Sequence, residues 1–256
     1  MPNWCNNSLV VEGPTAEVRR FRDEVKSKPI ARDGSTSEET PLSFNKHVPL
    51  YDEVTGEVLK KDLKTEDVYN SWGTKWDVNT DDTYFEDDTA DDQERGSITY
   101  SFDTAWGPAS GWFEAVVALF PKLSFEMEYQ ESGCDIYGVA TGEEGSVSVK
   151  DMTKEEYLLE WNDEYPAYLE DVKEMTQDEL VKFFSGVHDF DDCCQDSEEW
   201  DDALKDKYHW SSKMYDFGCL AIHIVKKIEA EKLPMFINTG WGEASDLFKE
   251  RLSKGE

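Results

Sequence analysis

The periodic segments of this chain predict an α+β fold: an antiparallel sheet covered on one face by helices, followed by a mainly helical, acidic C-terminal region. Three observations carry that expectation. Segments with strand alternation interleave with segments of helical spacing through residues 1–150. Aromatic residues make up 13% of the chain, too many for the disordered state that its charge would otherwise favour. Beyond residue 150, strand signals give way to capped helical patterns.

Residues 8–12 are apolar and β-prone, and Gly13-Pro14-Thr15 ends that strand and opens a helix whose Val18, Phe21 and Val25 share one face. Residues 29–64 read as loop, punctuated by Gly34, Pro41, Pro49 and Gly56, with room for a short strand in 42–50. The aromatic-rich residues 72–78 read as the second strand, and the acidic run 77–94 as a solvated loop. Alternation returns over 97–104, with Ile98, Tyr100 and Phe102 on one face. Ser110 is placed to cap a helix whose Phe113, Val116, Val117 and Phe120 have helical spacing and which Pro121 stops. Residues 123–129 alternate strictly through Leu123, Phe125, Met127 and Tyr129, and 134–141 follows across Ser132-Gly133, which predicts a hairpin. The order strand, helix, strand, strand, helix, strand, strand is that of the split βαβ unit of ferredoxin-like folds with one strand added.

After Gly145 the signals turn helical. Thr153 with Glu156, and Thr176 with Glu179, match the capping-box spacing, and Gly186 is placed to end the second of these helices. Phe217, Leu220, Ala221, Ile224 and Ile228 form a helical stripe, and 244–252 a last short helix. Two regions are therefore expected, a ferredoxin-like domain over 1–150 and an acidic helical region over 151–256. Trp-Gly recurs at Trp72-Gly73, Trp106-Gly107 and Trp241-Gly242, and these are expected to be packing corners, not a repeat array.

The chain carries 57 Asp and Glu against 26 Lys and Arg, a formal net charge of -31, and the excess is uneven. Residues 1–150 hold 30 acids and 14 bases, residues 151–202 hold 19 and 3, and residues 203–256 hold 8 and 9. Such a field repels nucleic acid and anionic membrane and attracts basic surfaces. No apolar run approaches the length of a membrane span, and Met1-Pro2-Asn3-Trp4 lacks the pattern of an export signal, so a soluble protein of a bacterial host cytoplasm is expected. The odd set Cys5, Cys134, Cys193, Cys194 and Cys219 has no CxxC spacing and fits reduced thiols. With His47, His188, His209 and His223 scattered, there is no zinc knuckle, and no cofactor is implied.

Several blocks resemble a known family. Met1-Pro2-Asn3-Trp4-Cys5-Asn6-Asn7 with Leu9, Val11 and Gly13, then Phe44-Asn45-Lys46 with Val48-Pro49, occur in order. Trp72-Gly73-Thr74-Lys75-Trp76 and Phe102-Asp103-Thr104-Ala105-Trp106 with Pro108 follow, and Phe120-Pro121, Tyr129-Gln130-Glu131-Ser132-Gly133 and Gly138 close the set. Over about residues 1–145 the chain resembles the YubB-like proteins of plasmids and bacteriophages. The resemblance implies a ferredoxin-like domain and a mobile-element setting, and brings no catalytic or cofactor residues with it.

Chemical constellations are sparse. Asp77, Asn79, Asp81, Thr83 and Asp88 imitate calcium-loop spacing, but position six is Asp82 instead of Gly and position twelve is Asp, so a solvated loop is the better reading. Carboxylates around Cys193-Cys194 would suppress a thiolate. Cys5 and Cys134 read as small buried hydrophobes, and His223 as a partly buried structural histidine. Tyr100 and Phe102 could stack bases on a sheet face, but the basic complement of such a site is missing. No nucleophile elbow, phosphate loop or zinc-protease motif occurs.

The sequence-based expectation is a non-enzymatic accessory protein that binds a basic host protein and not nucleic acid directly. The sharper form is a DNA mimic that inhibits a DNA-binding defence or processing factor. The expected contact surface is Asp81, Asp82, Glu86, Asp87, Asp88, Asp91 and Asp92, with Asp189, Asp191, Asp192, Asp196, Glu198, Glu199, Asp201 and Asp202. The alternatives are an enzyme or metal protein whose site assembles from scattered residues, and a virion or assembly component.

Overall fold

The structure is a computed structural model that describes residues 3–27, 39–52, 54–78, 83–90, 92–162 and 165–180, together with 223, 224, 226, 227, 250 and 251. The chain divides into two units, Met1–Lys154 and Glu155–Glu256.

The first unit is built on β1 (Trp4–Pro14), in which residues 5, 7, 9, 11 and 13 are buried and their neighbours are not. That strict period of two gives one strand a dry face and a wet one. Thr15 then opens α1 (Thr15–Val25), whose Val18, Phe21 and Val25 are fully buried as their spacing predicts. Two later helices complete this side, α2 (Thr65–Trp72) and α3 (Ser110–Leu119). The strands that follow are β2 (Tyr84–Asp87), β3 (Arg95–Ala105), β4 (Ser124–Glu131), β5 (Ile136–Glu143) and β6 (Ser146–Met152). They form a six-stranded sheet in the order β2-β3-β1-β4-β5-β6, every neighbouring pair antiparallel. The β2-β3-β1-β4 part has the ferredoxin-like arrangement, and β5 and β6 extend it beyond β4.

Register fixes the core. Leu9 lies opposite Tyr100 on one side and Met127 on the other, and Val11 lies opposite Ile98 and Phe125, all on the face that the helices cover. Phe21 of α1 meets Tyr100, Phe120 and Phe125 edge-on at centroid distances of 6.1, 5.1 and 5.5 Å. This edge-to-face geometry is the preferred one for aromatic quadrupoles. Helix α3 lies close enough over β5 that a Cβ on Gly142 would come within 2.3 Å of Val117 Cγ2.

Five expectations need correction. Residues 72–78 are not a strand: Trp72 ends α2, and Gly73, at φ 85°, donates its N–H to the Tyr69 carbonyl at 2.7 Å as a left-handed helix stop. The second strand is β2, inside the acidic run expected to be loop. It tolerates so many carboxylates because it is an edge strand that pairs only with β3. Residues 42–50 hold a single 3-10 turn, Phe44–Lys46, in place of a strand. After Gly145 comes β6, joined to β5 by Glu144 and Gly145, both at positive φ as a two-residue hairpin turn requires. Ser110 is the first residue of α3 and does not cap it through its side chain.

In the second unit, α4 (Lys154–Trp161) and α5 (Tyr165–Glu174) follow, and Thr176 and Glu179 form the expected capping box: Glu179 Oε2 accepts from Thr176 N at 2.9 Å. Lys227 donates to the carbonyls of Val172 at 2.6 Å and Met175 at 2.7 Å, and also to that of Lys173, satisfying the orphan end of α5. His223 meets Glu155 at 2.6 Å, in keeping with a structural histidine. Gly186, Trp241, the residues of the helical stripe other than Ile224, and, of the expected last helix, 244–249 and 252 lie outside the described residues.

Candidate interaction surface

Helices cover one face of the sheet, so function on this unit is sought on the other. On β2, β3, β1 and β4 the outward positions are Tyr84 and Glu86, then Arg95, Ser97, Thr99, Ser101 and Asp103, then Trp4, Asn6, Ser8, Val10 and Glu12, and finally Ser124, Glu126, Glu128 and Gln130. All are exposed or half-buried. Five are acids and Arg95 is the one base. On β5 and β6 the same face carries Thr141, Glu143, Ser146, Ser148 and Lys150, and at its other end Tyr137, Val139 and Met152 are buried.

The acids are dispersed in a regular way. Glu126 lies opposite Val10, Glu128 opposite Ser8, Glu12 opposite Ser97 and Ser124, Glu86 opposite Thr99, and Asp103 opposite Asn6. No carboxylate faces another directly across a strand pair, so the like-charge penalty of such a pairing is avoided. The strand geometry spaces Glu126 and Glu128 at roughly 7 Å. Asp103 is oriented by Asn6 Nδ2, which donates to it at 2.6 Å.

Of the carboxylates expected to form a contact surface, Glu86, Asp88 and Asp92 are exposed. Asp87 is half-buried and engaged: Arg22 donates to it at 2.8 Å and the Thr89 N–H at 2.9 Å. Burial works against its ionisation, but these hydrogen bonds outweigh it and hold the carboxyl below its usual range. Asp81, Asp82, Asp91, Asp189, Asp191, Asp192, Asp196, Glu198, Glu199, Asp201 and Asp202 lie outside the described residues.

Asp77, first in the calcium-like spacing, has a different task. It accepts from Ser43 Oγ at 2.7 Å, Phe44 N at 2.7 Å, Val78 N at 2.9 Å and Asn45 N at 3.3 Å, and so caps the turn at residues 44–46. Burial raises its pKa against the pull of those donors. Among the described residues, no three His, Cys, Asp or Glu side chains are placed to hold a metal. Tyr100 and Phe102 are buried under the helices, which removes the base-stacking geometry. Cys5 is buried as expected, which pushes its thiol up to about 12, whereas Cys134, also expected to be buried, is exposed, its thiol raised by its hydrogen bond to Glu131. Neither sulfur has the lowered pKa of a nucleophile.

The feature that sequence reasoning missed is aromatic. Trp4 is 49% exposed and Trp106 42%, and Trp4 lies 6.1 Å from Trp76, over whose ring the Lys75 ammonium sits at 4.6 Å. Trp72 of the first Trp-Gly pair does pack in the core, but Trp106 does not. Trp106 holds φ 73°, a left-handed conformation that is an outlier for so bulky a residue. The signal was present in the sequence as Trp4 preceding an alternating strand, on the side opposite Cys5 and Leu9.

Residues 72–171 match a family model described as a ferredoxin-like domain in Api92-like protein. The crystal structure of a protein api92 from Yersinia pseudotuberculosis is similar at 11% sequence identity and a TM-score of 0.41, covering 59% of this chain and 98% of that one. Among curated proteins nothing matches. Among the described residues, no helix is long and apolar enough to cross a membrane.

Proposed function

We propose that this protein is an interaction module that binds a basic partner protein through the open face of its sheet. The observation that supports this is the pattern on β2, β3, β1 and β4, where five outward acids stand against the single base Arg95, each opposite an uncharged neighbour. The core cluster under α1 and α3 lies on the other face, so Glu12 and Glu126 have no place in it. Their common field would steer a basic surface towards the sheet and would weaken as salt rises. The sharper version is mimicry of DNA against a DNA-binding protein of the host, in the mobile-element setting that the resemblance over residues 1–145 implies.

The test is capture from host lysate at about 50 mM and about 500 mM salt, a range across which the Debye length falls severalfold. It uses the unsubstituted chain and the triple variant Glu12→Lys, Asp103→Lys, Glu126→Lys. Expected are one basic protein held at low salt, released at high salt and lost from the variant, with the melting temperature of the variant unchanged. Competition by duplex DNA would support mimicry. Equal capture by the variant would refute the sheet-face reading.

A further inference from the structure

The basic-partner reading does not say which cation the surface prefers, and the tryptophan corner does. Trp4 and Trp76 meet at one end of the open face, 6.1 Å apart, and the exposed Trp106 follows the end of β3, its backbone N–H donating to the Asn3 carbonyl at 2.9 Å, next to Trp4 in the chain. Large apolar rings left in water usually mark a contact surface.

The corner is held rigid from below. Thr74 is fully buried, donates through Oγ1 to the Ala105 carbonyl at 3.1 Å and accepts from the Ala105 N–H at 2.9 Å, which pins the segment bearing Lys75 and Trp76 to the end of β3. Thr104 Oγ1 donates to the Gly107 carbonyl at 2.8 Å and accepts from Asn7 Nδ2 at 2.8 Å, which fixes the backbone on both sides of Trp106. The left-handed φ of Trp106 is sustained by this frame. A frame of buried hydrogen bonds that holds rings out in solvent is preorganised for a ligand, since little order remains to be imposed on binding.

The rings already hold a cation. Lys75 Nζ sits 4.6 Å from the centre of Trp76, and Asp103, on the outward face beside Asn6, supplies negative charge nearby. Indole is the best aromatic cation acceptor, and a guanidinium, planar and weakly hydrated, stacks on it better than an ammonium does. Lys75 adds one positive charge at the corner, which the outward acids of the sheet exceed.

From this geometry we infer that the tryptophan corner is an arginine-recognition site, at which an arginine side chain of a basic partner segment stacks on Trp4 and Trp76 with its guanidinium towards Asp103. The inference rests on the proposed binding of a basic protein and adds the residue type that it reads. An arginine-rich segment would cross the acidic sheet face and anchor at this end.

The experiment titrates the full chain with labelled oligo-arginine and oligo-lysine peptides of equal length and follows the indole N–H resonances. Oligo-arginine should bind more tightly than oligo-lysine and shift the indole signals of Trp4, Trp76 and Trp106, leaving those of the buried Trp72 and Trp112 in place. Trp4→Leu and Trp76→Leu should each weaken the arginine peptide roughly two- to fivefold, and the lysine peptide less. Because the resonance shifts are read in the unsubstituted protein, the result does not depend on how well the variants fold. Binding that the Glu12, Asp103 and Glu126 charge reversals abolish, but that neither shifts those indoles nor senses the leucine substitutions, would overturn the arginine site and leave the basic-partner reading standing. No binding of either peptide at low salt would overturn both.

Discussion

On β1, Leu9 and Val11 are closed to solvent, while Ser8, Val10 and Glu12, one residue away on the same backbone, stand on the open face. The two sides of this sheet differ in composition as well as exposure. One carries Phe, Tyr, Val and Met interlocked with α1 and α3; the other carries Ser, Thr, Glu and Asp, with Trp4 near one end. Over β2, β3, β1 and β4 packing is concentrated on the first side, and the second side of those strands has more freedom to vary in charge. The difference teaches where to look for function, and it fixes the size of effect expected from a substitution on each side.

The comparison is broken most directly at Phe21. Phe21→Ala removes the ring on which Tyr100, Phe120 and Phe125 converge, and should cost about 3–5 kcal/mol in urea unfolding. A cost below about 1 kcal/mol would mean that the covered face is not the seat of stability. Asp77 comes next. Asp77→Ala strips the acceptor from Ser43, Phe44, Asn45 and Val78 together, for about 2–3 kcal/mol, with Asp77→Asn recovering only part because its amide nitrogen would face donors.

Proton linkage sharpens the same contrast. His47 lies over Phe21 and edge-on to Phe120, and burial pushes its pKa down from 6.5 to about 4, with the Lys46 charge adding to the effect. Above pH 6.5 the ring is neutral in both folded and unfolded chains and contributes no pH dependence. As pH falls from 6.5 to about 4 the unfolded chain takes up a proton that the folded one refuses, so stability declines across that window. The loss is on the order of 1–2 kcal/mol, less than full linkage because the ring is partly exposed. His47→Gln should flatten the pH 4–6.5 portion of the stability curve, and an unchanged slope would show that other groups carry it.

How much of this was legible in the sequence follows from what each element depends on. Strands β1, β3 and β4 were readable because each alternates against a neighbour on both sides, so both faces constrain its pattern. β2 was not, because an edge strand with solvent on one flank tolerates Glu86 and Asp87 where a central strand would not. β6 could have been read: Ser146-Val147-Ser148-Val149 alternates with β-branched residues, and the capping signal at Thr153 wrongly drew the helix forward over it. α2 was lost to its own aromatic end, since Trp72 and Trp76 looked like strand, whereas Gly73 was the stop signal that should have decided. The acidic character of the candidate surface was visible in composition, but its placement was not. Glu12, Asp103, Glu126 and Glu128 become one surface only through the register of β3, β1 and β4. Trp106 shows a further limit, because nothing in its local sequence tells a ring held out in water by Thr104 and Asn3 from one that packs inward.

The smallest effects are the most diagnostic. Thr99→Ala and Glu126→Gln lie on the open face, with no buried partner to strand, and each should change stability by no more than about 0.5 kcal/mol. Glu126→Gln should nonetheless reduce the salt sensitivity of partner capture, because it removes one carboxylate from the field while leaving shape unchanged. A residue with nothing to do for stability and something to do for binding is the signature that separates a recognition face from a merely solvated one. If Glu126→Gln lowered stability by more than about 1 kcal/mol, the carboxylate would belong to the fold, and the division between a packing face and a recognition face would have to be redrawn at β4.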